Sequence, residues 1–293
     1  MRRQYAKLCD RLDFDDPALI AAMREVQSDP DPATHVERKL WEMGMLALFM
    51  EETGQLDDRS EVLAVGAGTE PILYWLANRV GRVVGTDIYG EGDFAGREAT
   101  ASMVDAPQRY APFAYREDRL EARWMDARRL DFYDESFDAV YSLSSIEHFG
   151  SPADIARSAR EVGRVLRPGG VAFIVTECFA RRDPRDAAPV DFAVRLLTLG
   201  RRRPLATPRR RAALDDVFTP RELRRRIVEP SGLELMQPLD LRLSPGSWDN
   251  VARYAPGGCN VVTPSGSFYP HVLLGVSRSV FTSVCLPMAK PRP

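Results

Sequence analysis

The residues of this sequence best equipped for chemistry are a few acids and one histidine, each just after an apolar run. Glu61-Val-Leu-Ala-Val-Gly-Ala-Gly-Thr-Glu-Pro71 reads as a strand, a glycine turn and a helix start. Gly66 and Gly68 let the chain turn sharply and let a ligand approach the backbone. Arg82-Val-Val-Gly-Thr-Asp87 reads as a second strand. It ends in a carboxylate one βαβ unit downstream, where it can bind both hydroxyls of an adenosine ribose. Arg123-Trp-Met-Asp-Ala127 closes a third short strand and sets Asp126 to accept from an adenine amino group. A fourth strand, from Ser136, runs into a polar turn that carries Glu147 and His148. Imidazole titrates near neutrality, so His148 is the first candidate for a general base and Glu147 the second. The structural alternative is that His148 caps or packs locally.

The type of adenosine ligand follows from charge. A dinucleotide site needs a third glycine in G-x-G-x-x-G and a helix N-terminus facing a pyrophosphate. Here Pro71 holds the third glycine position, and Glu70 brings a negative charge where phosphate would come close. That charge repels a pyrophosphate and suits a cation. S-adenosyl-L-methionine carries a sulfonium and an ammonium, so it fits better. The nucleotide phosphate-loop pattern is absent.

Five motifs occur in order: VLAVGAGTEP, GTDIYG, WMDARRL, FDAVYSLSSIEHF and RVLRPGG. In this order and spacing the sequence closely resembles the class I S-adenosylmethionine-dependent methyltransferases, in particular the small-molecule, type 11-like group, over residues 60–178. The resemblance implies a doubly wound, Rossmann-like, seven-stranded α/β sheet, mostly parallel with an antiparallel C-terminal strand, and here an N-terminal helical cap. It implies S-adenosyl-L-methionine contacts from Val65, Gly66, Ala67, Gly68, Glu70, Asp87, Ile88, Asp126, Ala127, Leu143 and Ser144, beside His148 and Glu147 as catalytic candidates. The sequence departs from the family at Ala64, where an acid is usual, and at Glu70, where a small residue is usual. Either Glu70 takes over part of the missing acid's work near the ligand's ammonium, or it complements the positive end of the next helix.

These residues need a sheet to hold them, and the rest of the chain is patterned for one. Its 293 residues, 44% hydrophobic and 28% charged, suit a protein with a well-developed core. Helical spacing marks 17–28 and 33–53, separated by Asp29-Pro-Asp-Pro32. Ser151-Pro-Ala-Asp154 starts a helix that ends at Arg164-Val-Leu-Arg-Pro-Gly-Gly170 and leads into a fifth strand, 171–176. Between Asp87 and Glu121 lies a long connection bearing Tyr89, Phe94, Tyr110, Phe113 and Tyr115, expected to cover the site in part. Thr219-Pro-Arg-Glu222 is a capping box whose helix ends near Gly232. A strand follows at 233–236, 244–270 reads as loop, and the last strands fall at 271–276 and 280–284. The segments are 1–56 (helical), 57–180 (cofactor-binding core), 181–218 (basic insertion) and 219–293 (completion of the sheet).

Composition bounds the partners. Residues 181–226 hold fourteen arginines and six acids, whereas the whole chain is −2. Pro189–Leu199 within it can form an amphipathic helix. This insertion suggests an anionic or sugar-like small-molecule acceptor, or contact with an anionic membrane surface; genome composition is the plain alternative. Cys9, Cys178, Cys259 and Cys285 are scattered without C-x-x-C, so disulfide and zinc frameworks are not expected, and a cytoplasmic setting fits. Cys178 and Cys285 read as core residues. No apolar run approaches the roughly 20 residues of a membrane span. No histidine spacing suggests a metal. Two other functions stay open: a non-catalytic accessory protein that binds the same cofactor, and a nucleic-acid methyltransferase. The second lacks the aromatic target-base motif after the fourth strand, where Leu143-Ser-Ser-Ile146 stands.

Overall fold

The computed structural model describes residues 1–27, 38–202, 213–249, 251–255, 261–262 and 271–292. The elements that position the site are α1 (Pro17–Gln27), α2 (Arg38–Glu52), β1 (Glu61–Val65), α3 (Pro71–Ala77), β2 (Arg82–Asp87), β3 (Leu120–Trp124), β4 (Phe137–Leu143), α4 (Pro152–Val165) and β5 (Leu166–Arg181). Strands β1 to β5 lie in the order 3-2-1-4-5, every neighbouring pair parallel. The order reverses between β1 and β4, so a crevice opens at their carboxyl ends.

Alternation along each strand explains the layers. Val62 and Ala64 of β1 face a core made with α1, α2 and α3, whereas Leu63 and Val65 face Ile155, Val162 and Val165 of α4. Successive side chains point to opposite faces, so a strand covered on both sides must be apolar throughout. The start of α4 follows from its sequence. Ser151 accepts from the Asp154 amide, Asp154 reciprocates, and Pro152 takes the first turn.

The second half of the chain departs from the expected seven strands. After β5 come α5 (Ala188–Leu197), a continuous helical run at 220–231 (α6), β6 (Glu234–Leu235), α7 (Pro245–Asp249), β7 (Val251–Tyr254), β8 (Val261–Val262), β9 (Leu273–Val276) and β10 (Ser279–Ala289). Among the described residues the sheet has ten strands, ordered 3-2-1-4-5-10-9-7-8, with β6 also on β10. The antiparallel C-terminal strand is therefore present as β10, which pairs with β5 from Val171 to Arg181. The strand expected at 233–236 shrinks to two residues, Glu234 and Leu235, paired in register with Ala289 and Met288, and the Met236 amide adds one bond to the Pro287 carbonyl. The region expected as loop contains α7, β7 and β8. β7 forms because β9 offers it a parallel edge, an opportunity that local composition does not reveal. The fifth strand is longer than 171–176, since β10 extends its pairing at the far end.

Several expectations were met more closely. Helix α1 ends at Gln27, and α2 runs to Glu52. The separator at 29–32 and the beginning of the second helical segment lie outside the described residues. In the connection after β2, Tyr89 is buried, while Tyr110, Phe113 and Tyr115 pack against the core. Only Phe94 stays exposed. The aromatics thus tie the ends of the connection to the core, while its middle meets the site as expected: Phe94 packs 5.0 Å from the His148 ring, and the Glu98 carbonyl lies against Gly68. Cys9, Cys178 and Cys285 are buried thiols; Cys259 lies outside the described residues.

Gly163 shows how tightly the two long helices of the second layer meet. A Cβ there would lie 1.9 Å from the carbonyl oxygen of Ser231 in α6. Gly163→Ala should lower stability by about 3 kcal/mol, the upper part of the range for overpacking. Denaturant unfolding of the variant beside the parent measures it.

Candidate active site

The turn after β1 is shaped by its glycines. Gly66 and Gly68 have φ of +68° and +49°, a region costly for other residues. Space adds a second constraint, because a Cβ on Gly66 would sit 2.6 Å from that of Ser145. The Ser145 hydroxyl donates to the Gly66 carbonyl at 2.8 Å, locking the turn after β1 to the turn after β4. At the end of β2, Asp87 accepts from the Gly68 amide at 2.9 Å and the Ile88 amide at 2.8 Å. Burial pushes the Asp87 carboxyl up from its ordinary value, with those two amides opposing.

Glu70 occupies the N-cap position of α3 but makes no capping hydrogen bond. Its carboxylate turns instead to Lys39 at the start of α2, 2.5 Å away. Its other oxygen is buried with no hydrogen-bond partner. Burial pushes Glu70 up to about 7, although Lys39 pulls the other way. The Lys39 ammonium also donates to the Leu143 carbonyl at 2.6 Å and lies 3.5 Å from Glu42. Burial disfavours that ammonium, but Glu70 and Glu42 outweigh it and hold its pKa above the usual lysine value.

A second group of acids lies beside the first. Glu42 is buried on α2 and accepts from Ser144 at 2.7 Å and Ser283 at 2.6 Å. Ser144 itself has a φ of +47°, which aims its hydroxyl back at α2. Glu147 is buried and accepts from the Thr176 hydroxyl at 2.8 Å. Burial, then the charge of Glu177, pushes Glu147 up to about 8. Glu177 is itself paired with Arg38 at 2.7 Å. The His148 Nδ1 lies 3.6 Å from Asp216, and its ring packs 5.0 Å from that of Phe94. Burial raises Asp216 above the ordinary carboxylate value, with His148 opposing.

This edge thus carries a glycine cradle, two acids suited to a cation and to hydroxyls, and a histidine next to a carboxylate. Residues 63–174 match the family model described as a methyltransferase domain. That stretch contains the cradle, both acids and His148. Residues 63–174 form a class I S-adenosylmethionine-dependent methyltransferase domain.

Among similar proteins is the phosphatidylethanolamine N-methyltransferase of Cereibacter sphaeroides, 37% identical over 120 residues, which are 41% of this chain and 51% of that one. The erythromycin 3''-O-methyltransferase of Saccharopolyspora erythraea is 34% identical over 131 residues, 44% of this chain and 38% of that one. The chain therefore spans between 38% and 51% of the length of these relatives. A solved structure of geranyl diphosphate C-methyltransferase from Streptomyces coelicolor, bound to Mg2+, geranyl diphosphate and S-adenosyl-L-homocysteine, is 16% identical. It covers 80% of this chain and 72% of that one, with a TM-score of 0.43.

The methyltransferase domain fits its cofactor on its own observations. The unpartnered Glu70 oxygen is a buried acceptor suited to a cation. Leu143 ends β4 beside it, and the turn bearing Gly66 and Gly68 leaves no room for a side chain at Gly66. Val65 and Ala67 are buried around that turn, and Ile88 is exposed past Asp87. Ala127 is buried too, but Asp126 is already engaged. Arg128 binds both of its oxygens, at 2.8 and 2.5 Å, and those bonds lower its pKa. Ser144 faces Glu42 rather than standing free. No group of three or more His, Cys, Asp or Glu among the described residues could hold a metal ion.

Sequence reasoning did not single out Lys39, Arg38, Glu42, Thr176 or Asp216 for the site. One signal existed for the first three. Arg38, Lys39 and Glu42 are charges at the head of, and inside, an otherwise apolar helix. Asp216 had none, because it is 68 positions from His148 and meets it only in the fold.

Glu147 should leave a mark on stability. Its folded pKa lies near 8, above the roughly 4.3 of an unfolded glutamate. Its contribution is then fully present below the unfolded value and is lost as pH rises toward 8. Glu147→Gln cannot ionise, so its melting temperature should fall less between about pH 5 and pH 8 than the parent's. Thermal unfolding at the two pH values gives the comparison, and equal slopes would mean that Glu147 is already ionised at neutrality.

Proposed function

We propose that this chain transfers the methyl group of S-adenosyl-L-methionine to a hydroxyl or amine of a small-molecule acceptor, with His148 taking the acceptor's proton. One observation supports this most. At a single edge of the sheet, the cofactor frame of Gly66, Gly68, Glu70 and Asp87 stands next to a histidine–carboxylate pair, His148 with Asp216. When bound, the cofactor supplies an electrophilic methyl on its sulfonium.

The chain's own residues do the rest. Asp87 would accept from the ribose hydroxyls, Glu70 and the Leu143 carbonyl from the ammonium. Val65, Ala67, Ile88, Asp126, Ala127 and Ser144 would complete the lining. For Asp126 this requires that it keep Arg128 as a neighbour or exchange it. His148 would accept the proton, while Asp216 stabilises the imidazolium that forms. Glu147, pushed up to about 8, keeps its proton at neutral pH and can donate to the acceptor. Phe94, against the His148 ring, limits the access of water.

The acceptor's class is supported at two levels. The relatives named above carry names for N- and O-transfer, and a sugar hydroxyl is one nucleophile of this kind. An anionic group on the acceptor is supported by the arginine excess over 181–226, where Arg182 stacks over Phe179 near the exit of β5.

Two variants separate binding from chemistry. Asp87→Ala should weaken S-adenosyl-L-homocysteine binding by about 1.5–3 kcal/mol, the range of charge-assisted hydrogen bonds. His148→Ala should leave that affinity nearly unchanged and lower turnover by roughly 10²–10⁴-fold, the usual contribution of a general base. Calorimetry reads the first, and transfer of labelled methyl to extract-derived acceptors reads the second. Full turnover in His148→Ala would remove it as the base.

Lys39 makes a further demand. Its ammonium already holds Glu70 and the Leu143 carbonyl, the groups that the ligand's ammonium would use. Lys39→Met should therefore bind S-adenosyl-L-homocysteine several-fold more tightly and bind adenosine, which has no ammonium, as the parent does. Weaker binding of the homocysteine compound would show instead that Lys39 assists the ligand.

A further inference from the structure

The segment that leaves β5 is rooted firmly and then exposes what proteins usually hide. At its root, the Ser279 hydroxyl donates to the buried Asp186 carboxylate at 2.8 Å and accepts from the Asp183 amide at 3.2 Å. From this anchor α5 runs out from the carboxyl edge of the sheet, because β5 is parallel to β4 and ends there. Along α5 and its end, Phe192 is 69% exposed, Leu196 66%, Leu197 83% and Leu199 85%. Helical spacing gathers Phe192, Ala193, Leu196 and Leu197 into one exposed arc, which Val190 and Val194, half-buried, continue.

The end of the helix adds an independent observation. Gly200 donates to the Arg195 carbonyl at 2.9 Å, and Leu199 to that of Leu196 at 3.3 Å. This pattern closes a helix with one residue in the left-handed region, a position that glycine usually fills. Here Leu199 fills it, at a φ of +48°. A leucine is strained in that conformation, and its side chain gains no burial in return.

Charge says what would cover this face. Residues 181–202 carry six arginines against three acids, and Asp183 and Asp186 are buried at the root. Arg195, Arg201 and Arg202 are exposed and have no ion-pair partner among the described residues. Exposed arginines beside exposed apolar side chains complement an anionic lipid surface, whose headgroups meet the arginines while the apolar side chains enter the acyl boundary. A second protein copy is a poorer match. One face of a ten-residue helix offers far less than the roughly 1,200–2,000 Å² that stable protein interfaces bury.

We propose that α5 and its leucine cap dock this protein on anionic bilayers, reversibly, with the carboxyl edge of the sheet turned toward the lipid. A single short helix with a basic rim binds weakly and depends on both its apolar and its charged parts. The inference does not rest on methyl transfer, and its test does not measure it.

The test is co-sedimentation of the full chain with vesicles of pure phosphatidylcholine and of about 3:1 phosphatidylcholine to phosphatidylglycerol, at low and high salt. The parent should pellet with the mixed vesicles at low salt, several-fold less at high salt, and not with the neutral ones. Leu196→Asp/Leu197→Asp should abolish pelleting, and Arg201→Glu/Arg202→Glu should reduce it to the neutral-vesicle level. Both pairs are exposed, so the unfolding midpoint should stay that of the parent and exclude misfolding. Failure of the parent to bind anionic vesicles overturns the proposal, as does undiminished binding by the leucine pair. A parent that sediments as a dimer and becomes monomeric in Leu196→Asp/Leu197→Asp also overturns it, in favour of a second copy.

Discussion

Buried charge at the carboxyl edge of the sheet is the constraint on which the rest of this structure turns. Glu42, Glu70, Glu147 and Glu177 all lie there with little access to water. An unpaired buried carboxylate is costly, so each must find a cation, find hydroxyl donors or keep a proton. The edge uses all three solutions. Lys39 and Arg38 pair with Glu70 and Glu177. Ser144 and Ser283 donate to Glu42. Glu147, next to the charge of Glu177, is left as the acid with a raised pKa.

Helix α2 is therefore more than a cover. It supplies both cations and one of the acids, and its apolar body fills the core between the sheet and α1. Through Glu42 it reaches β10 at Ser283, and through Lys39 it reaches the end of β4. The N-terminal segment, the parallel core and the antiparallel C-terminal strand meet at one set of polar contacts. At that set of contacts Glu70 and Glu42 are already paired with an internal cation, Lys39.

The outer parts of the chain obey a different rule. The connection after β2 carries aromatics that fall into the core, so it is fixed by burial. In the segment after β5, Ser279 holds the root and Leu214, Val217 and Phe218 are buried at the far end, whereas Phe192, Leu196, Leu197 and Leu199 between them stay exposed. The two segments are alike in sequence terms, both long connections with aromatic or aliphatic residues. What separates them is whether a hydrophobic surface lies within reach.

The sequence alone determined the parallel half of the fold and the frame of the site. Apolar runs that end in glycine, an acid or a polar turn fix β1, β2 and β4 locally, and Gly66, Gly68 and Asp87 are legible because their conformation and charge are demanded by short-range geometry. Capping boxes at Ser151 and Thr219 start their helices for the same local reason. Tertiary structure alone decided the partners. Lys39 meets Glu70 and Asp216 meets His148 across long separations, and no spacing rule encodes such meetings. It also decided the sheet beyond β5. A strand such as β7 exists because an edge is available to it, and the availability of an edge is a property of the folded chain.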